Sequence, residues 1–65
     1  MKTIQEIKDM LSRSEGEQAL NAANEIVESK GVSRETLANA YYMRGNAYRH
    51  LQELLDFYNK DYYNP

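Results

Sequence analysis

Cysteine and tryptophan are absent from this chain, and histidine, proline and phenylalanine each occur once. Without cysteine there are no disulfides and no thiolate metal sites. A single histidine supplies too few imidazoles for a zinc site within one chain. The three glycines are scattered and form no G-x-G or Walker pattern, which excludes a phosphate-cradling loop of those kinds. No apolar run approaches the roughly 18 residues that span a bilayer, and the opening Met1-Lys2-Thr3-Ile4-Gln5-Glu6 turns polar at once. A cytoplasmic setting is the expectation. The net charge is −2 with no basic run, which argues against nucleic acid or an anionic membrane as partner. The serines fall at helix ends, so no nucleophile, base and orienting group can be assembled. Neither catalysis nor a cofactor is expected.

What remains is small and helical. At 65 residues the chain is a single domain, 1–65. Below roughly 70–80 residues one core rarely supplies more than about 3–5 kcal/mol. With disulfides and metals set aside, oligomerisation is the leading way to stabilise it. No period-two run suggests a strand, so the fold class is all-α.

Three helices follow from their caps, over about 4–12, 15–30 and 34–62. Thr3 with Glu6 makes a capping box, and Ile4, Ile7, Met10 and Leu11 form one apolar stripe. Ser14 with Glu17 reads as a second capping box. Helix two then sets Ala19, Leu20, Ala23, Ile26 and Val27 on one face, with Glu15, Glu17, Glu25 and Glu28 opposite. Ala19, Ala22 and Ala23 admit a close neighbour, so helices one and two are expected to form an antiparallel hairpin. Gly31 after Lys30 is the expected left-handed stop. Ser33 caps helix three, with Glu35 in its first turn.

The third helix carries a long seam. Leu37, Tyr41, Arg44, Tyr48, Leu51, Leu55, Tyr58 and Tyr62 alternate at intervals of four and three, and all but Arg44 are apolar or aromatic. Helix two is long enough to cover only about half of it. The stretch with Leu51, Leu54, Leu55, Phe57, Tyr58, Tyr62 and Tyr63 needs either a partner or a bend near Gln52 that folds it back. No residue there favours a break.

Ala38 to Tyr48 resembles the first helix of a tetratricopeptide repeat, of the small bacterial type. In that family an aromatic, a glycine four residues on and an aromatic three beyond recur, here Tyr41, Gly45 and Tyr48. Glu17-Gln18-Ala19-Leu20 resembles the start of a repeat's second helix. The resemblance implies that helices one and two form a first repeat and helix three opens a second. Beyond Tyr48, Leu51-Gln52-Glu53-Leu54-Leu55 contains no turn chemistry, as though the return helix were missing.

These features point first to a homodimer through helix three, in which the overhang pairs with its twin or is exchanged onto another copy's hairpin. Leu51, Leu54, Leu55, Phe57, Tyr58 and Tyr62 would form the interface, with Tyr41 and Tyr48 bridging to the hairpin. The alternative is a monomeric adaptor that takes a partner peptide on its tyrosines, with Tyr42 and Tyr63 best placed off the seam. A truncated or engineered repeat protein would also read this way. His50 and Glu53, one turn apart, form an ordinary solvated pair rather than a metal site.

Overall fold

The structure, a computed structural model, describes residues 1–63 and the side chains of residues 1–59. It is all-α: α1 Ile4–Ser12, α2 Gly16–Glu28 and α3 Arg34–Tyr63. No strand occurs among the described residues. α3 runs unbroken for 30 residues, so the alternative of a bend near Gln52 is not realised.

Two of the expected caps form. The Thr3 hydroxyl accepts from the Glu6 N–H at 3.1 Å, and the Thr3 N–H donates to Glu6 Oε1 at 3.2 Å. Ser33 Oγ accepts from the Thr36 N–H at 3.1 Å, closing the first turn of α3. The expected Ser14 and Glu17 box does not form, and the reason is local. Ser14 is the left-handed residue that ends α1, with φ of 60°. Its N–H donates to Leu11 O at 3.1 Å, and the Glu15 N–H donates to Met10 O at 2.8 Å. This is a Schellman closure with serine where glycine is usual. Ser14 cannot take that conformation and also the extended one an N-cap needs, so Glu15 becomes the N-cap of α2. The Glu15 side chain makes no cap bond and instead accepts from Arg13 Nε at 2.7 Å.

α2 ends at Glu28, two residues short of the expected limit, and Lys30 lies past it. Gly31 is left-handed, with φ of 87°, but it lies past the helix end, which the extended Ser29 caps, so it is not the stop of α2 that was expected.

α2 runs back along α3, so that Gly16 at its start lies beside His50 and Leu51, while α1 packs on both. The core is thin: Ile7, Ala19, Ala22, Ala23, Ile26, Ala40, Met43 and Ala47. Among the described residues, Ile7 and Ile26 are the large side chains that are fully buried. The buried residues of α2 and α3 are mostly small, Ala19, Ala22 and Ala23 with Ala40 and Ala47, so the two backbones can approach closely.

The hairpin ends at the level of Leu51, and α3 continues for 12 more residues, about 18 Å at 1.5 Å per residue. The molecule measures 52 × 17 × 14 Å. Its radius of gyration is 13.7 Å, where a compact chain of this length has about 11 Å.

Candidate interaction surface

The seam expected from the sequence is turned by about one residue in the structure. Ala40, Met43 and Ala47 face the hairpin and are buried, while Tyr41 and Tyr48 stand beside that contact at 48% and 55% exposure. Each is about half covered and lies outside the buried core. A ring inserted between Ala19 and Ala47 would hold the helices apart, so the alanines occupy the contact and the tyrosines are displaced to its edge. Ala47 has the packing role expected of a small residue. Gly45 does not, being exposed, and a Cβ added there would meet no atom within 4 Å.

Arg44 is half-buried between the two surfaces. Its guanidinium lies 4.9 Å from the centre of the Tyr41 ring and donates to Asn24 Oδ1 at 3.4 Å. Its partners are thus an amide of α2 and an aromatic face. The Arg44 stem covers apolar surface while its head holds Tyr41 in place.

Leu51 is the last residue of the seam that the hairpin covers, with Leu51 Cδ2 3.2 Å from the position a Gly16 Cβ would take. Beyond it Leu54, Leu55, Phe57 and Tyr58 are all exposed, Tyr58 at 67%. Phe57 and Tyr58 meet edge to face with centroids 6.0 Å apart. Leu51, Leu54 and Tyr58 continue the same side of α3 that Ala40, Met43 and Ala47 present to the hairpin upstream, and Leu55 continues the line of Tyr41 and Tyr48. Tyr42 is exposed on another side of the helix. Of the residues expected to form an interface, Tyr62 and Tyr63 lie outside the described side chains.

His50 and Glu53 do not come together. His50 turns toward the start of α2, where its Nε2 is buried without a hydrogen-bond partner, and Glu53 is exposed. Among the described residues no three histidine, aspartate or glutamate side chains gather into a metal-ligand set. Nor is any helix there long and apolar enough to cross a membrane.

The electrostatics of the hairpin are local. The Thr3 N–H, with help from the Thr3 hydroxyl and Lys2, holds the Glu6 carboxyl below its ordinary value. The hydrogen bond from Arg13 does the same for Glu15. Both pairs sit away from the exposed apolar face and support only the ends of α1.

Ala40 and Met43 were missed as contact residues. Their signal is a second three-four register one residue behind the tyrosines, matched in size to the alanines of α2. No family model, curated protein or solved structure matches this chain.

Proposed function

We propose that this chain is a self-association module, a homodimer formed through the part of α3 that extends past its own hairpin. The observation that carries this reading is a surplus of surface. The chain exposes 4998 Å², against about 4,300 Å² for a compact monomer of 7.6 kDa. The surplus, roughly 700 Å², approaches the 800 Å² or so that each partner gives to a standard interface. On the overhang Leu54, Leu55, Phe57 and Tyr58 are exposed together. Covering these side chains contributes the apolar burial that a core with two large buried residues lacks.

In this reading helices α1 and α2 form a tetratricopeptide-like unit, α3 is the first helix of a second unit without its return helix, and a second copy takes the vacant place. The apolar face of the hairpin is already filled by its own α3, which supports association of intact chains over exchange of α3 between them. The module binds and does not catalyse.

The double variant Leu54→Glu/Leu55→Glu tests the proposal. Both residues lie outside the hairpin contact, so the variant is expected to keep its helical circular dichroism and to sediment as a monomer where the parent is a dimer. A variant that still dimerises like its parent would refute this reading.

Tyr42, at 65% exposure and off the seam, favours a second reading, in which a partner peptide docks on the tyrosines. A parent chain that is monomeric at all concentrations, with Tyr42→Ala folded like the parent, is the result this adaptor reading requires.

A further inference from the structure

Tyr41, Gly45, Tyr48, Gln52 and Leu55 are all exposed and recur along α3 at intervals of four, three, four and three. They form an exposed stripe beside the hairpin contact, with Gly45 as an open notch between two rings. A glycine inside a helix costs about 1 kcal/mol relative to alanine, and nothing within the chain uses the space it leaves. Resting on the homodimer reading above, we infer that this stripe is the seat for the overhang of the second copy, with the two α3 helices antiparallel about a two-fold axis near Gln52.

Charge selects the orientation. Tyr42, Arg49 and Asp56 repeat every seven residues on one flank of the stripe, and Arg44, Leu51 and Tyr58 on the other. In antiparallel helices each flank meets its own kind, and in parallel helices it meets the opposite one. The antiparallel arrangement sets Arg49 of each copy beside Asp56 of the other and leaves Leu51 and Tyr58 on a shared apolar flank. The parallel arrangement brings Arg44 against Arg49, like against like, and Leu51 against Asp56.

The same axis sets Tyr48 at the level of the other copy's Leu55, while the open Gly45 lets the two backbones approach closely. A two-fold of this kind keeps each flank on its own side. The Leu51 and Tyr58 flank of one copy therefore runs alongside the hairpin of the other. One partner covers the tyrosine stripe with Leu55 and the Tyr58 side of the overhang, and leaves Phe57 on the far side of α3. Pairing the overhangs alone would overlap the helices by only about 18 Å and leave Tyr41, Gly45 and Tyr48 open.

Because the chain has no cysteine, a single spin label at the exposed Ala38 reports the arrangement directly. The Ala38→Cys variant, labelled and measured by pulsed electron paramagnetic resonance, is expected to show a separation of about 45 Å between copies. A separation under about 20 Å means parallel helices, and one near 60 Å means overhangs paired alone. Either overturns this inference and leaves the homodimer standing. A monomer by mass overturns both. Charge reversal supplies a second readout. Arg49→Asp and Asp56→Arg are each expected to weaken the dimer about five-fold, and the double variant to regain most of that loss. At Gly45 an added Cβ meets no atom within 4 Å, so Gly45→Gln should stay folded while dimerising more weakly; unchanged dimerisation in that variant contradicts the seat.

Discussion

Ser14 does the work of a glycine. Its φ of 60° closes α1, and a residue with a Cβ in that region is strained by roughly 1–2 kcal/mol. Ser14→Gly is therefore expected to stabilise the hairpin by about 0.5–1 kcal/mol, read as a rise in the urea midpoint with unchanged slope. Ser33 is the opposite case. Its Oγ accepts the Thr36 N–H, and Ser33→Ala should cost about 1 kcal/mol by the same measurement. Glu6 and Glu15 couple the fold to pH. Each carboxyl sits below its ordinary value, so each stabilises the folded chain fully above the unfolded value near 4.5 and ceases to as pH falls through the lower folded value. Acidification below pH 4.5 or so should lower the urea midpoint, and Glu6→Gln should flatten that fall.

Among the elements, the pairing of α2 with α3 depends on size rather than bulk. Ala19 and Ala47 are both fully buried at the place where the backbones approach. Ala47→Leu is expected to destabilise by about 1–3 kcal/mol through overpacking, measured by thermal or urea unfolding. This contact also decides how much of the helices was legible in the residues. All three could be read from Thr3, Ser33 and the apolar stripes, because caps and periodicity act within a few residues. Ser14 was misread because its side chain suits two roles, N-cap of α2 or left-handed end of α1. Only the three-residue connection from Arg13 to Glu15 decides between them. The tyrosine seam was misread by one position because periodicity measures apolarity. At a close helix crossing, alanine is selected by shape and the larger apolar side chain stands aside.

For the molecule as a whole, the decisive fact is that α3 outreaches its hairpin. That mismatch was visible beforehand in the lengths of α2 and α3 and in the missing turn after Tyr48. The composition left open whether the chain would bend near Gln52, and the unbroken helix answers that. The open face of Gly45 was not legible, since a small residue in a helix reads equally well as a crossing point within the chain. An elongated chain with two large buried side chains has little stability of its own. Association should therefore raise the unfolding temperature with protein concentration, as mass action requires. The central claim is that α3 pairs two copies, and sedimentation equilibrium of the unaltered chain across a micromolar concentration series tests it most directly. The account expects the mass to rise from near 7.6 kDa toward twice that value and to stop there. A mass that stays at 7.6 kDa into the high micromolar range would contradict it.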